Sequence, residues 1–207
     1  MDKGSGSSTY RSDVPVMQCG DDAEELSFEY LFESPTYVVG HPRATLYVSC
    51  SEHDDLDIFV QLRKMCKDGR LLENINIPAD ALGIPADKVP NLNILKYLGP
   101  TGIIRASHRE LDQTLSKPHH PVLSHRKEDL VKPGEVVRLE VAIWACGMAF
   151  EAGEKLVLKL SGHDMRFVDF PPLSCSFHSG NKGIHKIYCG EGGFHSELVL
   201  PTVNLEV

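Results

Sequence analysis

The chain has 207 residues, 42% of them hydrophobic and 24% charged, with a formal net charge of -8; no apolar run approaches the roughly 20 residues that a membrane-spanning helix requires. An acidic chain without a dense lysine or arginine cluster opposes binding to a phosphate backbone, so neither nucleic acid nor membrane is an expected partner. A domain this long buries roughly 70% of the surface its unfolded chain would expose, enough for one core that needs no metal or disulfide.

The first residues, MDKGSGSSTYRSDVP, lack the basic segment, apolar core and small-residue cleavage site of a secretory signal. Their glycine and serine content reads as a flexible tail over residues 1–24. From Leu26 onward the pattern has period two, which places alternate side chains on one face of a half-buried strand. Leu26, Phe28, Tyr30 and Phe32 alternate with Ser27 and Glu29; Ala44, Leu46 and Val48 alternate with Thr45 and Tyr47; Ile58, Val60 and Leu62 alternate with Asp57, Gln61 and Arg63. Gly40-His41-Pro42 precedes the second strand, and the acidic run 52–55 leads to the third. Asp68-Gly69 predicts a hairpin turn into residues 70–73.

Residues 74–100 are rich in Pro, Asn, Asp and Gly and form a long connection, with room for a short helix near 80–82 or 86–89. Strand signals return at 103–107, 135–144, 155–160, 184–188 and 197–200. Short strands joined by several long crossings predict an all-β fold, an antiparallel two-sheet sandwich with the jelly roll as its topology. One domain is expected, over residues 25–205.

Candidate chemistry is sparse. The nucleophile elbow G-x-S-x-G of an α/β-hydrolase does not occur, and Ser161-Gly162-His163-Asp164 cannot align as a triad, because triad members meet from distant positions. That tetrapeptide reads as a turn, and the chain is not expected to be an enzyme on its own. His119, His120 and His125 lie in a polar loop without the ligand set of a closed zinc site, and Asp54, Asp55 and Asp57 lack the glycine and glutamate of a calcium loop, so no metal or cofactor is expected. The six cysteines show no C-x-x-C pair and read as free thiols of a reducing compartment, which favours the cytoplasm.

Two features point to an interface. Arg105, Ser107, His108 and Arg109 form a dense polar cluster beside a strand, able to hold a partner carboxylate or to brace the sandwich rim. Trp144 is the single tryptophan; if Val137, Leu139, Val141 and Ile143 face the core, alternation sends it outward, where it can stack on a sugar, anchor an interface or pack under a loop.

The order of four segments carries a resemblance. Residues 44–69 read ATLYVSCSEHDDLDIFVQLRKMCKDG, 99–112 read GPTGIIRASHRELD, 132–164 read KPGEVVRLEVAIWACGMAFEAGEKLVLKLSGHD, and 181–201 read NKGIHKIYCGEGGFHSELVLP. Together they resemble the C-terminal jelly-roll domain, galactose-binding-domain-like, of X-Pro dipeptidyl-peptidases and of the related cocaine-esterase (CocE/NonD) hydrolases. The resemblance implies a non-catalytic accessory domain that packs on an α/β-hydrolase domain and shapes access to its active site. None of that family's catalytic residues falls on a position of this sequence. The implied partner is the hydrolase domain, normally of the same chain, and an uncovered docking face would favour self-association. An independent carbohydrate-binding module is the alternative, opposed by an aromatic content of only 7%.

Overall fold

The computed structural model describes residues 6–14, 24–92, 94–165 and 179–204. In chain order its elements are β1 (Gly6–Arg11), β2 (Leu26–Leu31), β3 (Thr36–Gly40), β4 (Arg43–Cys50), β5 (Asp57–Met65), β6 (Asn74–Ile75), α1 (Ala79–Leu82), β7 (Lys96–Tyr97), β8 (Thr101–Arg105), β9 (Val137–Ala142), β10 (Cys146–Phe150), β11 (Lys155–Ser161), β12 (Ile184–Cys189), β13 (Glu197–Val199) and β14 (Thr202–Val203). No helix among the described residues is long and apolar enough to cross a membrane.

Two sheets make the sandwich, and all their pairings are antiparallel. The first has the order β1-β12-β4-β9, with β13 sharing the β12 side of β4; the second has the order β2-β11-β5-β8. With β12 and β13 sharing one place beside β4, these nine strands fill the eight positions of a jelly roll. The alternation along each strand explains why it closes. Ala44, Leu46 and Val48 of β4 and Val137, Leu139 and Val141 of β9 face Ile58, Val60 and Leu62 of β5 and Leu156, Leu158 and Leu160 of β11 in one cluster, nearly all of it excluded from solvent. Each such aliphatic side chain stabilises the fold by about 1.5–3 kcal/mol relative to exposure.

The tail reading is corrected at residues 6–11. They form β1, the first strand of the jelly roll, whose six residues pair one by one with β12 from Gly6↔Cys189 to Arg11↔Ile184. Only Tyr10 carries a large apolar group into the core, so the strand draws its stability from β12 rather than from its own periodicity. Asp13 and Ser12 extend the contact beyond it, Ser12 donating from its backbone N–H and its hydroxyl to the Gly183 carbonyl at 2.9 and 2.8 Å.

Beyond the sandwich, β10, β3 and β14 form a three-stranded extension of the first sheet. β3 runs into β4, β9 into β10, and β13 into β14, and all three bend at one line. Pro42 and Pro201 lie on it, where a residue without an N–H interrupts the ladder at least disruption. The bend is sealed by Ile143 donating to the Pro42 carbonyl at 3.1 Å and Val39 donating to the Pro201 carbonyl at 2.9 Å. Phe150 at the far end of β10 stacks on Phe32 with centroids 4.4 Å apart, joining the extension to the second sheet.

Smaller expectations resolve as follows. The sequence offered two alternative places for one short helix, and both are helical: α1 and a 3-10 turn at Ala86–Lys88. The Asp68-Gly69 turn closes with Cys66 donating to the Arg70 carbonyl at 3.0 Å, but only the bridge Met65↔Leu71 follows it. Cys50, Cys66 and Cys146 are free thiols, while Cys19 and Cys175 lie outside the described residues.

Candidate functional site

The residues singled out in the sequence lie at the two ends of one strand, β8. Its last residue, Arg105, sits in register with Asp57, the first residue of β5. The guanidinium donates from Nε and Nη2 to the two carboxylate oxygens of Asp57 at 2.7 and 2.9 Å, a bidentate fork, and Asp55 lies 3.8 Å away. The hydrogen-bonded Asp57 carboxylate pushes the Arg105 pKa still further above its ordinary value. Asn181 completes the arrangement: its amide NH₂ donates to the carbonyls of Asp57 and Gly162 at 2.8 and 2.9 Å, and its oxygen accepts from the Asp57 N–H at 2.6 Å. Asp55 accepts from the N–H and hydroxyl of Ser107 at 2.8 and 2.7 Å, so its turn and the one after β8 are clamped together.

Arg109 is likewise engaged within the chain, donating to the carboxylate and carbonyl of Asp129 and to the Ala106 carbonyl. The His108 ring lies 5.8 Å from that of His125, whereas His120 faces His41 at 4.8 Å, so the loop histidines separate into two pairs. Among the described residues no three His, Cys, Asp or Glu side chains converge as a metal site. A cleft of about 120 Å³, lined by His53, Asp55, Asp57, Arg105 and Asn181, opens over the fork. Its charged groups already answer one another, and the rim reads as a brace that fixes three loops at the end of the sandwich.

Ser161, Gly162, His163 and Asp164 form the turn that ends β11. The Ser161 hydroxyl donates to the His163 carbonyl at 2.5 Å and accepts from the His163 N–H at 3.1 Å, and both residues are buried. That geometry is a local serine turn, in which Oγ is held by backbone instead of being presented to a substrate.

The opposite end of β8 is the apolar one. Trp144 lies between β9 and β10, with Ile143 1% exposed and Trp144 77% exposed, the parity the alternation predicts. Its N–H donates to the Thr101 carbonyl at 3.0 Å and pins the bend against the start of β8. The approach is close: a Cβ on Gly102 would fall 2.5 Å from the Ala142 carbonyl oxygen, so glycine is what lets β8 and β9 touch here. On β7 and β8, Tyr97 and Ile103 are 41% and 53% exposed. Tyr97 lies near Cys146: burial raises the pKa of its phenol and the Cys146 thiolate adds to the effect, while burial raises that of the Cys146 thiol. The sequence signal for Trp144 was its parity; Tyr97 and Ile103 gave none, because only the fold brings the end of the long connection beside the β9–β10 bend.

Comparison with known proteins places this geometry. The model of the X-Pro dipeptidyl-peptidase C-terminal non-catalytic domain matches residues 18–197. A CocE/NonD family hydrolase from Staphylococcus aureus is similar in structure, with a TM-score of 0.76 and 28% identity over 95% of this chain and 32% of that one. An α-amino acid ester hydrolase shares the fold at a TM-score of 0.61 and 15% identity, over 98% of this chain and 33% of the other. An aminopeptidase from a marine sediment Thaumarchaeota archaeon shares it at 0.54 and 14% identity, over 87% and 26%. The chain thus spans about a third of the length of the solved structures it matches. No curated protein sequence matches it. The chain belongs to the family of the X-Pro dipeptidyl-peptidase C-terminal non-catalytic domain.

Proposed function

We propose that the jelly roll serves as the accessory domain of a CocE/NonD-type hydrolase, docking through the Trp144 corner on an α/β-hydrolase domain and bounding the path to its active site. The observation that carries this reading is a lone tryptophan, 77% exposed, whose backbone N–H holds it at a bend against Thr101 at the start of β8. An aromatic side chain of this size left in water on a rigid support is what a buried hot spot looks like before its partner is present. Its match to one third of a longer hydrolase supports a large neighbouring domain as that partner. The family assignment takes the place of the carbohydrate-binding alternative, and Arg105 and Arg109 act in this reading as braces of the rim, their guanidinium groups already engaged within the chain.

Single-site labelling tests it. The chain carries one tryptophan, so 5-fluorotryptophan gives one fluorine resonance. On titration with an unlabelled α/β-hydrolase domain of the CocE/NonD type, that resonance shifts and Trp144→Ala weakens binding at least about tenfold. Binding that leaves the resonance in place overturns the assignment of the surface. Separately, the purified chain gives no turnover of p-nitrophenyl acetate or an X-Pro-p-nitroanilide and no labelling by a fluorophosphonate; stoichiometric labelling of one serine overturns the accessory role.

A further inference from the structure

We infer that Tyr10 and His185 form an acid-sensitive clasp: proton uptake by His185 releases the edge strand β1 from β12 while the rest of the sandwich stays folded. The two side chains lie on paired residues of the two strands, and the Tyr10 hydroxyl is 3.0 Å from His185 Nδ1. Their rings meet edge to face, centroids 5.2 Å apart. His185 is 0% exposed and Tyr10 3% exposed, and among the described residues the second ring nitrogen, Nε2, has no hydrogen-bond partner.

A neutral imidazole tolerates this site, since one nitrogen bonds Tyr10 and the other leaves a single weak polar atom unanswered. An imidazolium does not. It carries an N–H on both nitrogens, places a full charge out of reach of water, and leaves the Nε2–H with no acceptor. The surrounding charges are divided. Asp57 at the start of β5 and Asp13 after β1 favour the charged ring, His53 opposes it, and burial outweighs them all, holding His185 down at about 4. On the β4 side Cys50 acts on Tyr10, whose own pKa burial raises. Of the nearby carboxylates, Glu52 accepts from the Ile184 N–H at 3.1 Å and Glu191 is paired with Lys186 at 2.6 Å.

Release falls on β1 because, among the described residues, β1 closes one edge of its sheet and pairs with β12 alone, whereas β12 is also paired with β4. Letting β1 go opens the His185 ring to water without opening the core that β4, β5, β9 and β11 share.

Amide exchange of the whole chain, corrected for the intrinsic effect of pH, tests the clasp at about pH 7.5 and about pH 4.5. The expected result is at least an about tenfold loss of protection in residues 6–11 on acidification, with residues 155–161 unchanged, and no such loss in His185→Gln. Protection retained in β1, or lost equally in β5 and β11, or lost equally in His185→Gln, overturns the clasp. If that variant does not fold, the wild-type protein still decides the matter: proton uptake by the His185 ring, followed by carbon-13 NMR, must share its midpoint with the opening of β1, and separate midpoints overturn the proposal.

Discussion

Arg105 and Asp57 stand opposite one another across β8 and β5, joined by a two-point fork of 2.7 and 2.9 Å, although they are 48 residues apart in the chain. The Asp57 side chain is 11% exposed and that of Arg105 49%, so the carboxylate depends on the fork more than the guanidinium does. Arg105→Ala leaves that carboxylate without its cation, and we expect a loss of about 2 kcal/mol by urea unfolding, below the 3–5 kcal/mol of a fully buried pair because water reaches the vacated side. Arg105→Lys keeps the charge but loses the planar fork and should recover no more than about half. A loss under about 0.5 kcal/mol for the alanine variant would show that the rim is not braced there.

The Gly99-Pro100-Thr101-Gly102 segment makes a steric prediction. Gly99 has φ +144°, and a Cβ there would lie 1.8 Å from the Leu62 carbonyl oxygen; at Gly102 the corresponding distance to the Ala142 oxygen is 2.5 Å. Both obstacles are backbone. Gly102→Ala should destabilise by about 2–3 kcal/mol, and Gly99→Ala, which adds left-handed strain, by more. Gly147 in β10 is the control, with open space at its Cβ. Gly147→Ala should leave stability unchanged or raise it by up to about 1 kcal/mol. Thermal and urea denaturation of the three variants separates these outcomes, and equal effects at all three would refute the close-approach argument.

Trp144 predicts a separation of stability from binding. At 77% exposure its ring contributes little to the folded chain, so Trp144→Ala should move the urea midpoint by no more than the equivalent of about 0.5 kcal/mol. The same substitution should lower self-association of the isolated chain in sedimentation velocity, since an uncovered aromatic corner is an adhesive surface. Unchanged self-association alongside unchanged stability would remove the corner from consideration as a docking surface.

What could be read from the sequence follows from how each element is stabilised. β4, β5, β9 and β11 were legible because one face of each meets the shared core, and a core face imposes period two. β1 was not, because GSSTYR offers a single large apolar residue and owes its conformation to β12. β10, with CGMAF, and β3, with TYVVG, pair in an extension outside the sandwich, where alternation is weakly enforced. Trp144 was legible by parity alone. Arg105 drew attention as a charge beside a strand, yet its partner Asp57 belongs to another strand, and only the β5–β8 register reveals the pairing.

The buried His185 makes the stability of the fold depend on pH. Burial holds His185 at about 4 in the folded chain, against an ordinary 6.5 when unfolded. Above pH 6.5 both states carry the ring neutral, and the stability of the closed arrangement is fully present. As the pH falls from 6.5 towards 4 the unfolded chain binds the proton first, so stability declines across that window and levels off below it. The difference corresponds to about 3 kcal/mol at most, capped by whatever opening of β1 relieves it. Carboxylates with lowered values, such as Glu154 and Glu191, lose their contribution from about pH 5 downward, so the decline between pH 6.5 and about 5 is the part that reports His185. Tyr10→Phe removes the hydroxyl from Nδ1 and leaves both ring nitrogens unanswered, which should lower stability by about 1–2 kcal/mol at pH 7.5. His185→Gln should flatten the decline between pH 6.5 and 4 in urea unfolding followed over that range. A variant curve parallel to the wild-type curve would assign the decline to other groups.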